Sequence, residues 1–135
     1  EYLRATYPQV KVEIFPDFLN HIEHNGVTYI LSHGKDKTNR KFGLPLYPDP
    51  KTEMLIENYL RMNNISRDKK VRLIKGDLHM SSSSPCKNIN KYRTVGSIFG
   101  CSGWVMDNFG YTPPVCDYEI YDNILEETTE GTIKL

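Results

Sequence analysis

Two short apolar runs, each stopped by a glycine and metal-ligand side chains, constrain this chain more than any other feature. Residues 28–37 read TYILSHGKDK and residues 71–80 read VRLIKGDLHM. Each begins as a β-type run of branched and aromatic residues. Each then ends abruptly, the first at His33-Gly34 and the second at Gly76-Asp77-Leu78-His79. Histidine is the commonest transition-metal ligand, and a carboxylate supplies the harder oxygen donor. A glycine beside such a ligand lets the backbone turn sharply and a substrate come close. Two strand ends with the same chemistry point to one shared site. If the strand continues past Gly76, Asp77 and His79 project to the same side and Leu78 faces the core.

The rest of the chain has to build one domain around those two ends, because 135 residues suffice for a single core and not for two comfortable ones. Residues 10–15, VKVEIF, alternate apolar and charged side chains and read as a half-buried strand. Asn25-Gly26 then marks a tight hairpin whose more apolar second arm delivers His33 at its carboxyl end. Residues 35–52 read as a long irregular loop with Lys35, Lys37, Arg40 and Lys41 at its start. Thr52 is placed to cap a helix, EMLIENYLRMNNI, with Met54, Leu55, Tyr59, Leu60 and Met62 as its core stripe. VRLIKGD is the next strand, and the serine-rich run 81–91 reads as a flexible polar connection. YRTVGSIFG and VCDYEIYD read as further strands with a turn between them, and the tail EETTEGTIKL as weakly strand-like.

Composition narrows the function classes. Lysine plus arginine equals aspartate plus glutamate at 17 each, so no global field draws in nucleic acid or an anionic membrane. No run approaches the roughly 18 apolar residues of a membrane span, and no signal-type leader opens the chain, which reads as soluble. Cys86, Cys101 and Cys116 are too far apart for a CxxC zinc knuckle and odd in number, which fits a reducing, cytoplasmic setting with inert thiols. The chain opens at Glu1 almost directly into strand-like sequence, as a trimmed polypeptide would. His21 and His24, three apart on a strand, face opposite sides and make no joint site. Lys69, Lys70 and Arg72 read as surface. Trp104, Phe109 and Tyr111 are the residues a base-stacking platform would use, but they read better as core.

In this order and at this separation, YILSHGKD and IKGDLH resemble the last two signature blocks of the calcineurin-like metallophosphoesterases, a strand ending in His-Gly and then a strand ending in G-H-x-H. The segment from Tyr92 to Ile120 is similar to the strands that close the second sheet in phage-encoded members. The resemblance implies an α/β fold, α+β within this chain, in which a four-layer β-sandwich is flanked by helices. It also implies a centre of two divalent ions, Mn²⁺, Fe²⁺, Zn²⁺ or Ni²⁺, that activates a bridging hydroxide. Carried over by position, His33 and His79 are catalytic metal ligands and Asp77, standing where the family has histidine, is a third ligand. Lys35, Lys37 and Arg40 would hold the substrate phosphate, although the same loop reads equally well as solvated.

The family's earlier blocks, D-x-H, G-D-x-x-D and G-N-H-[DE], do not occur before His33. The resemblance therefore implies that residues 1–135 form one domain portion, the carboxyl-terminal half of a phosphoesterase whose other half lies elsewhere. The expected activity is phosphodiester or phosphomonoester hydrolysis, with nuclease action among the options, in the cytoplasm of an infected bacterial host. The expected partners are a phosphate-ester substrate, nucleic acid among the candidates, and the missing amino-terminal half, with no membrane. Asp77 and the missing blocks equally suit a non-catalytic, degenerate module with a binding or structural role in a phage.

Overall fold

A computed structural model of the chain describes residues 6–10, 12–35, 43–122, 124–125 and 127–135, with 109 and 121 described for the backbone alone. Lys37, Arg40 and Lys41 lie outside the described residues, as does the side chain of Phe109.

The hairpin forms where Asn25-Gly26 permits it. Strand β1 (Asn20–His24) pairs antiparallel with β2 (Val27–Ser32). Asn25 and Gly26 both take positive φ, at 49° and 73°, the geometry that matches the twist of two closely joined strands. Helix α1 (Pro50–Met62) follows, then β3 (Lys70–Lys75), β4 (Ser82–Cys86) and β5 (Ile89–Thr94). Among the described residues these strands make one sheet in the order β1-β2-β3-β5-β4, in which β2, β3 and β5 run parallel. A short helix α2 (Gly103–Phe109) leads to β6 (Val115–Asp122) and β7 (Glu127–Lys134), which form a separate antiparallel pair. The architecture is α+β.

The five-stranded sheet has two unlike faces. One carries Ile30, Val71, Leu73, Ile89 and Tyr92, which pack with Leu19, Leu44 and the Ile56 and Leu60 ridge of α1. Tyr92 is fully buried there and donates its hydroxyl to the carbonyl of Pro45 at 2.6 Å, which satisfies its one polar atom. The opposite face meets β6 and β7 through charge. Tyr29 donates to Glu119 at 2.8 Å, and Arg72 Nη1 lies 2.7 Å from the other oxygen of that carboxylate, close enough for an ion pair but not aligned as a hydrogen bond. Lys91 and Arg93 both reach Glu130.

Several expectations are corrected. Residues 12–16 carry no strand, and Ile14 is 80% exposed. Alternation alone makes a strand only where a neighbour offers a ladder. The cap of α1 is Asp49, whose carboxylate accepts from the Thr52 amide at 2.7 Å, and Pro50 occupies the first turn, where its missing N–H is no loss. This start rotates the buried face to Thr52, Ile56 and Leu60, leaving Met54 and Met62 exposed. The serine-rich run is edge strand β4, because backbone pairing does not require apolar side chains, and Pro85 sits where its register shifts. YRTVGSIFG is strand only to Thr94, and GCSGWVMDNFGYTPP holds α2, on which Trp104 is 63% exposed and not core. Tyr111 is exposed as well. Arg72 is not a free surface residue but faces Glu119.

Candidate functional site at the carboxyl ends of the parallel strands

In open sheets with parallel strands, ligands collect beyond the carboxyl ends of those strands. Here the ends are Ser32-His33-Gly34 on β2, Lys75-Gly76-Asp77 on β3 and Thr94-Val95 on β5. The first two are in contact. The Gly76 amide donates to the Ser32 carbonyl at 3.3 Å. Gly34 has φ 104°, and a Cβ built there would lie 3.0 Å from the Gly76 carbonyl oxygen and 3.2 Å from Asp77 Cβ. Only glycine allows this approach. The Gly34 carbonyl in turn accepts from the Leu44 amide, which ties Leu44 to the end of β2.

His33 is exposed and borders a cavity of about 390 Å³ that it shares with Phe15, Asp17, Asn20, Lys75 and Gly76. Asp77 is half-buried beside Gly34, and the third expected ligand turns elsewhere. His79 Nδ1 lies 3.2 Å from the Gly100 carbonyl. A carbonyl can only accept, so Nδ1 is the donor of this bond and Nε2 takes no part in it. The expectation that Asp77 and His79 project together from an extended strand is corrected, because β3 stops at Lys75 and both residues have positive φ, 74° and 56°. Among the described residues no three His, Cys, Asp or Glu side chains gather as a metal group. His33 and Asp77 follow the ends of two adjacent parallel strands, whereas His79 is turned to Gly100. Lys35 is exposed next to Gly34, while Lys37 and Arg40 lie outside the described residues.

Lys75 is the residue that the sequence reading missed. It shares the face of Val71 and Leu73 and is 1% exposed. Its Nζ has no hydrogen-bond partner. Burial pushes its pKa down to about 8, while the nearby Asp77 charge opposes the shift. The signal was available, since period two along V-R-L-I-K puts a lysine in the third core-facing position. Ser32 and Thr94 flank it in register on either side, and the Thr94 hydroxyl is likewise buried and unpartnered. Ser32 Oγ accepts from the Gly34 amide at 3.0 Å. Of the cysteines, Cys86 is buried, and that burial raises its thiol pKa. Cys101 and Cys116 are half-buried free thiols.

The arrangement of these strands is similar to that of Vps29, a calcineurin-like metallophosphoesterase fold. Wild-type Vps29 from Entamoeba histolytica, in a crystal structure complexed with Zn²⁺, superposes with a TM-score of 0.51 at 13% identity, covering 90% of this chain and 63% of that one. A single-substitution variant of the same protein gives 0.51 and 13%, covering 92% and 64%. The chain thus spans less than two thirds of the length of the structures it matches. No protein-family model matches the sequence, and no curated protein matches it. No helix among the described residues is long and apolar enough to cross a membrane.

Proposed function

We propose that this chain is the carboxyl-terminal part of a metallophosphoesterase domain that hydrolyses phosphate esters, and that it contributes His33 and Asp77 to the reaction centre. One observation carries the reading. The ends of β2 and β3 are in contact through Gly34 and Gly76, so that a histidine and an aspartate follow two adjacent parallel strands at the end of the sheet where ligands collect. His79 is the third ligand in this reading. It reaches the others once the remaining ligands, which this chain lacks, are supplied by the rest of the domain. Lys35, Lys37 and Arg40 then border the substrate phosphate. Two divalent ions would supply a lowered water pKa and a clamp on the phosphate oxygens. In this reading the domain belongs to a phage-encoded protein acting in the host cytoplasm, which the sequence resemblance of residues 92–120 to phage-encoded members supports.

The test is hydrolysis of bis(p-nitrophenyl) phosphate with Mn²⁺ by the full-length gene product. Activity that falls at least a hundredfold in His33→Ala and Asp77→Ala supports the reading. Full activity in both variants overturns it.

A second reading is favoured by the absence of a three-ligand group among the described residues and by the turn of His79 onto Gly100. Here the domain binds a partner and catalyses nothing. Full-length protein that is inactive with every divalent ion tried, and that takes up no metal, selects this reading.

A further inference from the structure

We propose that Lys75 is the fixed positive charge of an oxyanion site at the carboxyl ends of β2, β3 and β5, binding a phosphate-type group through its ammonium and the Thr94 hydroxyl without any metal. The proposal deepens the phosphate-ester reading, yet it requires no hydrolysis.

A lysine ammonium inside a protein is stable only when a counter-charge or hydrogen-bond acceptors replace the water it lost. Lys75 has neither within bonding distance, and the hydroxyl of its in-register neighbour Thr94 is also idle. Two buried, unpartnered donors on adjacent strands and one face are the complement of a tetrahedral oxyanion, which offers acceptors only. Ser32 stands on the other side of Lys75, with its Oγ already accepting from Gly34, so its hydroxyl proton is free to be donated.

Lys75 borders the 390 Å³ cavity together with Ser32, His33 and Gly76. Its ammonium lies at a strand end on a flexible four-carbon stem. Leaving its covered position forfeits no hydrogen bond. The charged and titratable neighbours are mixed. Asp77 opposes an anion, and His33 and Asp17 also line the cavity.

The same ammonium disfavours a dication beside it by simple Coulomb repulsion. A lysine supplies to a phosphate, as a point charge, part of what a metal supplies in other sites.

The experiment is a calorimetric titration of the full-length protein with inorganic phosphate in EDTA at constant ionic strength, repeated for Lys75→Met, Thr94→Val and, as a control on the exposed face of α1, Lys51→Met. Saturable binding that weakens at least tenfold in Lys75→Met, several-fold in Thr94→Val and not in Lys51→Met is expected. Circular dichroism on each variant confirms folding, and Lys75→Gln serves as a second replacement if the methionine variant is disordered. No saturable phosphate binding in EDTA, or equal binding by Lys75→Met and wild type, overturns the proposal. Metal-dependent hydrolysis by the full-length protein that survives Lys75→Met would retain the phosphoesterase reading and still reject this one. Phosphate binding without hydrolysis would do the reverse.

Discussion

Asp117 on β6 faces Arg93 on β5 across the gap between the two sheets, with Oδ1 3.5 Å from Nη2 and both side chains less than a tenth exposed. Around that pair the carboxylate also accepts from the Gly96 amide at 2.6 Å, from Ser81 at 2.8 Å and from the Thr132 hydroxyl. The guanidinium donates to Glu130 at 2.7 Å and to the Gly131 carbonyl at 3.2 Å. This junction carries the contact between the large sheet and the β6-β7 pair. It does so largely with charge because the sheet presents Arg72, Lys91 and Arg93 to β6 and β7. Removing one partner leaves the other buried and under-paired, an effect of about 3–5 kcal/mol. Asp117→Ala should lower the urea midpoint accordingly, and an unchanged midpoint would show that the two sheets hold together by other means.

The same carboxylate gives the protein an acid limb. Burial alone would raise the Asp117 pKa, but hydrogen bonds from Thr132, Gly96 and Ser81 and the Arg93 charge outweigh it and hold the group below the usual value. A depressed folded pKa means that the stabilisation is fully present above the unfolded value of about 3.9 and is lost as pH falls through the folded one. Stability should therefore fall below about pH 4. Asp117→Asn should be less stable at neutral pH, with its deficit shrinking as the pH is lowered below 4. A deficit that stays constant from pH 7 to pH 2 would count against this assignment.

Gly34 predicts a local lesion at the strand ends. An alanine there would need a backbone conformation that L residues rarely adopt, and its Cβ would press on the Gly76 carbonyl at 3.0 Å. Strain of this kind amounts to roughly 1–3 kcal/mol. Gly34→Ala should lower the melting temperature, and hydrogen exchange should report the opening at residues 32–34 and 76–78. Asn25→Gly, in the distant hairpin turn, should leave exchange at those residues as it is in the wild type.

The Asp49 cap offers a cleaner measurement. Its carboxylate accepts from the Thr52 amide at the start of α1, and loss of such a cap costs about 1 kcal/mol. Asp49→Ala should show that loss in chemical denaturation, while Asp49→Asn retains an acceptor and should recover most of it. Equal losses in the two variants would show that the negative charge at the helix start matters more than the hydrogen bond.

What the sequence disclosed, and what it hid, follows from range. The hairpin turn, β2, β3 and β6 were legible because their signals are local: Asn25-Gly26, apolar runs, and a glycine at each strand end. The edge strand β4 was hidden because its serines carry no apolar pattern, and its partner β5 defines it through the backbone. Residues 12–16 misled for the opposite reason, having the pattern without a partner. The adjacency of the two strand ends that precede His33 and Asp77 was legible, since both end in a glycine and the parallel pairing of β2 and β3 aligns them. The course of the chain to His79 was not, because two left-handed residues after Lys75 redirect it and no short-range rule announces them.

Lys75 decides between a structural and a functional account of the strand ends. If the lysine served folding, removing it would harm the domain. Its Nζ makes no hydrogen bond, however, and burial already disfavours its charge. Lys75→Met keeps the length and apolar stem of the side chain and deletes the desolvated charge, so it should stabilise the chain by about 1–3 kcal/mol. Residues that weaken a fold where they stand are characteristic of binding and catalytic sites, where stability is given up for recognition. A rise in the urea midpoint combined with loss of phosphate binding would mark Lys75 as such a residue. A fall in the midpoint would mean that the ammonium has a structural partner in solution and that the oxyanion site must be sought elsewhere.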